Sequence, residues 1–328
     1  MKLLVANFTN QLKDAKKIGE SSDFNPSDKT FKNVLICGLG GSGIGGKIIS
    51  LLVSDEVNIP VVTTNDYSIP HFVDKNTLVI ANSYSGNTEE TLSAVKESFK
   101  REAEVVAITS GGELLDLAKK HNWNHFVVPG GEQPRAMLAY SLVQLLFVFQ
   151  NYQLIKTNYT NTIPNIINLI EKLENDIQTE AYSIAKLMFG KLPVIYAEQS
   201  FEGVAVRFRQ QINENAKELC WHHVLPEMNH NELVGWAGGN NNLAVIKLNS
   251  SLEFYRTKKR WEICKSIINK KTQTVIEINA KGEDRLTQIF YFIHLTDWVS
   301  VYLAELKQID AVEVDVIIQL KNELSKLD

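Results

Sequence analysis

VLICGLGGSGIGGK, residues Val34 to Lys47, is the stretch on which the reading of this chain turns. Val34, Leu35, Ile36 and Cys37 are a short apolar run bounded by glycine, the pattern of a central parallel strand buried on both faces. Behind it, Gly38 to Gly46 is a turn almost bare of side chains that opens into a helix from about Ile44. Such a turn lets backbone N–H groups approach a bound group, and the helix N-terminus favours negative charge. This is an anion-binding turn, suited to phosphate.

The turn admits two readings. Gly38, Gly40 and Gly43 fit G-x-G-x-x-G, and Asp66 lies where a dinucleotide fingerprint wants a ribose-binding acid. A second loop weighs against that reading. Thr77 to Ala81 is another apolar run, and NSYSGNTEET, Asn82 to Thr91, follows it directly. Ser83, Ser85 and Thr88 can each donate a hydrogen bond to phosphate oxygens while the next helix starts behind them. A dinucleotide site does not need such a loop.

GLGGSGIGG together with SYSGNTEET resembles the phosphosugar-binding signature of the sugar isomerase (SIS) domain. Within that group the chain is most similar to the bifunctional phosphoglucose/phosphomannose isomerases. The resemblance runs from Val34 to about Lys321.

The chain has 328 residues, a length natural for two domains, each large enough to bury its own core. With 44% hydrophobic and 22% charged residues, its composition is that of a soluble globular protein. A formal net charge of -4 gives no reason to expect nucleic acid or an anionic membrane as partner, so any phosphate affinity must be local. Cys37, Cys220 and Cys264 are widely spaced and odd in number, which points to a reducing compartment and no metal cage. MKLLVANFTNQLKDAKK has only a short apolar run before its charges, unlike a secretory signal. No run approaches about 18 uninterrupted apolar residues. The expected location is cytoplasmic.

Residues 1 to about 20 read as an amphipathic helix and Ser21 to Lys32 as a polar connector. Strands are expected at Val34–Cys37, Pro60–Thr63, Thr77–Ala81, Val105–Thr109 and His125–Val128, with helices near Ile44–Val53, Glu89–Phe99, Glu113–Lys120 and Met137–Phe149. That alternation implies a parallel sheet covered on both faces, with both loops beyond the carboxyl ends of its strands. The helical pattern breaks between Gln150 and Thr162 and restarts at Pro164. A helix from about Ile166 to Phe189 leads into further strands at Leu192–Ala197, Asn242–Leu248 and Gln273–Ile278, like a degenerate copy of the first unit without its glycine loop. Leu286 to Leu306 is apolar nearly all round, as in a core helix or an oligomer interface. The expected fold is α/β, with two SIS-type domains, each a parallel sheet flanked by helices. An N-terminal SIS domain over 1–155 holds the phosphate loops, and a C-terminal SIS-like domain over 156–328 carries the catalytic base and a terminal helix.

Arg135 precedes the apolar helix Met137–Phe149 at the edge of the same crevice, where a surface ion pair would be the ordinary role. By resemblance, Gln133-Pro134-Arg135 matches the family's catalytic arginine, which stabilises charge on the intermediate. Phe201 to Leu219 reads as a helix whose Arg207, Gln210, Glu214 and Lys217 fall on one polar stripe. On pattern alone a solvated face is the ordinary reading of that stripe. The resemblance separates the two readings, because Gln211 to Lys217, QINENAK, matches the family's catalytic segment and makes Glu214 the base that carries a proton between C1 and C2. His230 lies in a polar loop, PEMNHNE, where a surface histidine is the ordinary reading, although histidine also moves protons near neutral pH. The His230-Asn231-Glu232 run resembles the family's ring-opening histidine motif. Val316, Ile317, Leu320, Leu324 and Leu327 form an apolar stripe on a terminal helix, with Lys321 at its border. The resemblance puts a ring-opening lysine at Lys321, with Lys326 as the alternative.

The resemblance thus implies an aldose-ketose isomerase acting on glucose 6-phosphate, mannose 6-phosphate and fructose 6-phosphate through an enediolate, with no cofactor and no metal. His222, His223, Glu227 and Glu232 lack a zinc spacing. The phosphate is expected on Gly41, Ser42, Ser83, Ser85 and Thr88, with Lys47 as a further contact. The family's homodimer, in which His230 would serve the neighbouring subunit's site, is the expected assembly, with no nucleic acid and no membrane as partner. The rival reading is a non-catalytic SIS regulator that binds sugar phosphate; it keeps the serine loops and has no need of Glu214.

Overall fold

The computed structural model describes residues 1–327. Two helices, α1 (Lys2–Ala6) and α2 (Phe8–Ser21), stand where one was expected, because Asn7 interrupts them. The first half continues with β1 (Asn33–Cys37), α3 (Gly40–Leu52), β2 (Val61–Thr64), β3 (Thr77–Asn82) and α4 (Glu89–Lys100). β4 (Glu104–Thr109), α5 (Gly112–Lys120), β5 (Asn124–Val127) and α6 (Leu138–Asn151) complete it. The second half runs through α7 (Ile163–Met188), β6 (Leu192–Glu198), α8 (Glu202–Ala216), β7 (Trp221–Leu225), the short α9 (Glu232–Gly235) and β8 (Leu243–Asn249). It ends with α10 (Tyr255–Ile268), β9 (Val275–Asn279), α11 (Arg285–Lys307) and α12 (Asp315–Leu324).

The strands form two parallel sheets, ordered β2-β1-β3-β4-β5 and β7-β6-β8-β9. Strand side chains alternate between faces, and the sequence uses that alternation to make three layers of core. Val34, Ile36, Leu78, Ile80, Val106 and Ile108 face inward onto α3 and α6. Their neighbours Leu35, Cys37, Val79, Ala81, Val105 and Ala107 face outward onto α4 and α5. In the second sheet Ile195, Ala197, Ile246 and Ile278 face inward, while Val194, Tyr196 and Val245 meet α10 on the outside.

The two inner faces share a single apolar cluster, so the halves do not bury separate cores as their length suggested. α11 lies at its centre, buried along Leu286 to Ala304, which makes it a core helix. No described helix is long and apolar enough to cross a membrane, and the three cysteines are free.

Two further departures bear on the site. The first turn becomes helical at Gly40, four residues earlier than Ile44, and Gly40 can open the helix because its φ of +51° suits glycine. α8 stops at Ala216 because Lys217 adopts a left-handed φ of 47° as its C-cap. At the terminus the apolar stripe on α12 is uncovered, with Val316 76% and Leu320 59% exposed and no buried residue in the helix.

Candidate active site

From β1 the chain passes to β2 on one side of the sheet, and from β3 to β4 on the other, so the carboxyl ends of β1 and β3 flank the topological switch point where ligands of such sheets bind. Both loops emerge there. Asn82 Nδ2 donates to the Ser42 carbonyl at 2.8 Å, and the Tyr84 N–H donates to Ser42 Oγ at 3.0 Å, so the second loop is tied to the start of α3. Within that loop Ser83 Oγ lies 2.9 Å from Thr88 Oγ1, and the Asn87 N–H donates to Ser85 Oγ at 3.3 Å. Ser42, in the first turn of α3, and Ser83, Ser85 and Thr88, ahead of α4, therefore collect at the carboxyl end of the sheet, an arrangement suited to an anion.

Gly41 joins this cradle to Arg135. A Cβ at Gly41 would stand 3.2 Å from the Arg135 backbone, so the glycine lets the two segments pack directly. Arg135 is 4% exposed, which removes it from the surface-ion-pair reading. Its Nε donates to Asn215 Oδ1 at 2.8 Å, and its Nη2 donates to the Ala311 and Val312 carbonyls at 2.7 and 3.1 Å. Its Nη1 reaches Gln133 Oε1 at 3.1 Å and Glu214 Oε2 at 3.4 Å. Burial pulls the guanidinium pKa below the usual arginine value and Arg207 adds to that, while Glu214, Asp310 and Glu313 oppose it.

Glu214 sits near the end of α8 with its side chain 28% exposed, open enough to meet a ligand and close enough to the arginine to share one. Lys217, on the same stripe, folds over the C-terminus of α8 and donates to the carbonyls of Glu214, Asp310 and Glu313. The stripe is solvated only toward its end: Arg207 is 2% exposed, Gln210 and Glu214 are half-buried and Lys217 is exposed.

The chain does not bring every expected residue to this place. Lys47 pairs with Glu202 Oε2 at 2.9 Å. His230 is exposed, in the 3₁₀ turn after β7, and no hydrogen bond or ion pair among the described residues links it to Arg135 or Glu214. Lys321 is exposed on α12, and Lys326 donates to Glu323 Oε1 at 2.7 Å. Asp66 accepts from the neighbouring Tyr67 N–H at 2.6 Å. Among the described residues no group of three or more His, Cys, Asp or Glu could hold a metal ion.

Some residues that build the site were not singled out from the sequence. Gln133 and Asn215 lay inside quoted motifs without a role. Arg207, Gln211 and Asn215 form a row at four-residue spacing that faces Asp297 and Ser300 on α11. The signal was available: Asp297 is a carboxylate in the middle of a largely apolar run, FYFIHLTDWVSVYLAEL, whose other acid, Glu305, lies at its end, and such a central group is buried only with partners.

Comparison with known proteins covers both halves. Residues 30–150 match the SIS domain, and residues 177–324 match the bacterial phospho-glucose isomerase C-terminal SIS domain. The chain is 37% identical to the bifunctional phosphoglucose/phosphomannose isomerase of Caldicellulosiruptor bescii, with 98% of each chain covered. Its identity to the enzyme of that name from Aquifex aeolicus is 36%, over 90% of this chain and 91% of the other. Among solved structures, the C-terminal domain of glucosamine-fructose-6-phosphate aminotransferase from Francisella tularensis superposes with a TM-score of 0.75 at 15% identity, covering 94% of this chain and 97% of that one. At that identity the likeness concerns the fold of two SIS domains.

Proposed function

Because the chain belongs to the bifunctional phosphoglucose/phosphomannose isomerase family, we propose that this sugar-phosphate isomerase interconverts glucose 6-phosphate and mannose 6-phosphate with fructose 6-phosphate, without a metal, through an enediolate. The observation that carries the reading is the 3.4 Å approach of Arg135 Nη1 to Glu214 Oε2 beside the two hydroxyl loops. Gly41, Ser42, Ser83, Ser85 and Thr88 hold the phosphate, which fixes the far end of the open-chain sugar. Glu214 takes the proton from C2 of the aldose and returns it to C1, and the reverse for the ketose. The negative charge that develops on the oxygens of C1 and C2 meets Arg135 Nη1, a donor held in place before the reaction.

His230 and Lys321 open the sugar ring in this scheme, one accepting and the other donating a proton. Both are exposed in the single chain, and so is the apolar stripe of α12. We infer a homodimer, in the cytoplasm, that covers α12 and brings His230 of one subunit to the site of the other. The division between the halves falls at residues 155 and 156, in the connector between α6 and α7.

Glu214→Gln tests the core of the scheme. It should lower turnover of fructose 6-phosphate by about 10²–10⁴-fold, the usual worth of a general base, with binding of the sugar phosphate still measurable by calorimetry. A near wild-type rate removes Glu214 from the mechanism. Chelator should leave the wild-type rate unchanged; loss of activity restored by a divalent ion overturns the metal-free scheme.

A further inference from the structure

Beneath Arg135 lies a polar network that the scheme above does not use. Arg207 Nη2 donates to the backbone carbonyl of Arg135 at 2.8 Å and to Asp297 Oδ2 at 2.6 Å. The other oxygen of Asp297 accepts from Gln211 Nε2 at 2.9 Å. The Asp297 carbonyl accepts from Ser300 Oγ at 2.7 Å, and Ser300 Oγ accepts from Asn215 Nδ2 at 2.9 Å. Asn215 Oδ1 then accepts from Arg135 Nε. One route runs from the Asp297 carboxylate through Arg207 to the main chain of Arg135; the other runs from the Asp297 backbone carbonyl through Ser300 and Asn215 to the Arg135 side chain.

The network is sealed: Arg207 is 2% and Asp297 4% exposed, and Gln211, Asn215 and Ser300 are fully buried. A buried ion pair is seldom kept for stability, since well-packed apolar residues of similar volume often serve as well or better. This pair even leaves Arg207 Nε and Gln211 Oε1 without partners among the described residues. What it does accomplish is geometric. A guanidinium has five N–H donors in a fixed plane. Nε and Nη2 are committed to Asn215 and the two carbonyls, so only the Nη1 edge is left to face Gln133, Glu214 and an incoming oxygen.

We propose that Arg207 and Asp297 are positioning residues for the isomerisation, holding the main chain of Arg135 in the place from which its Nη1 edge points at the enediolate oxygens. This rests on the isomerase reading above and extends it to residues that do not touch substrate. The lock acts on the step at C1 and C2, whereas the hydroxyl loops of the cradle are tied together by Asn82, Ser42 and Tyr84 and make no hydrogen bond to Arg207 or Asp297 among the described residues. Its loss should therefore appear in kcat with little change in KM, because a misplacement of about 1 Å at a reacting group can cost a hundredfold in rate.

The test compares wild type with Asp297→Asn and with the double variant Arg207→Met/Asp297→Leu, which replaces the pair by apolar groups and supplies a folded protein if the single change does not. Each is assayed for kcat and KM with fructose 6-phosphate, for inhibition by inorganic phosphate, and for inhibition by 5-phosphoarabinonohydroxamate, a mimic of the enediolate. Expected is a kcat lower by about tenfold to a hundredfold, hydroxamate affinity lower in proportion, and KM and phosphate affinity within about twofold of wild type. A folded variant with wild-type kcat overturns the proposal, and so does a parallel loss of phosphate affinity, which marks general disruption of the site. Wild type without turnover fails the isomerase reading and takes this proposal with it, whereas active wild type with equally active variants fails this proposal alone.

Discussion

At Arg135, charge alone is insufficient. Its donors serve Asn215, two carbonyls, Gln133 and Glu214 at once, and an ammonium on a flexible stem cannot reproduce that planar fork. Arg135→Lys should lower kcat by about a hundredfold with phosphate inhibition nearly unchanged, as expected when a transition-state contact is lost; equal activity would show that a positive charge suffices. A second residue gives a pH test. His222 lies 3.8 Å from Glu202, yet burial and the nearby Arg209 hold its pKa below the usual histidine value. The apparent ion pair and the lowered pKa agree once Lys47 is counted, because it already answers Glu202 at 2.9 Å. The folded chain thus keeps His222 neutral where the unfolded chain would protonate it. Its contribution to stability is present above about pH 6.5 and is lost as pH falls through the lower folded value. The thermal midpoint should fall on acidification over that window, and His222→Gln should flatten the fall; an unchanged slope assigns it to other groups. Glu214 and Arg135 could be singled out as candidates in the sequence only because QINENAK and Gln-Pro-Arg carry them. Periodicity alone put Glu214 on a polar stripe and left open whether water or protein lay against it.

The helix pair α3 and α8 shows what joins cradle to carboxylate. Gly203, in the first turn of α8, packs so closely that a Cβ there would stand 2.8 Å from Ile48 Cγ1 and 3.1 Å from its Cα. Backbone on one side cannot yield easily, so Gly203→Val should destabilise by about 1–3 kcal/mol, read from a shifted denaturation midpoint, and should reduce turnover by tilting Glu214 away from Arg135. A midpoint within error of wild type would show that the helices slide freely. Most elements were legible because strands such as Leu78 to Ala81 are continuous apolar runs between turn residues. β7 was not: WHHVL has two histidines and no alternation, since an edge strand with part-buried faces need not be apolar throughout. α10 was missed too, because YRTKKRWEICKSII buries only Thr257, Trp261, Cys264 and Ile268, too narrow a stripe to stand out. The early start of α3 was hidden by the glycines themselves, which signal a turn even when they form the first helical turn.

As a whole molecule, the chain leaves the apolar stripe of α12 uncovered. Val316, Ile318 and Leu320 on α12 are each more than half exposed, and Leu219 and Val234 are about four-fifths exposed. The inferred homodimer should appear in sedimentation as twice the chain mass, and Val316→Glu/Leu320→Glu should yield folded monomers with impaired ring opening; a wild-type monomer with full activity removes both the dimer and the shared His230. Lys321 could be placed from sequence only on an amphipathic helix, and within the single chain no residue of that helix is buried. Within the chain, the shared middle layer of helices has its own consequence. A fragment stopped after α6 would contain both hydroxyl loops and yet turn to water the greasy undersides of α2 and α3 that α7 and α8 cover, so it belongs in inclusion bodies and not in the freezer as a minimal sensor. The two halves of the gene are tied to each other's fate.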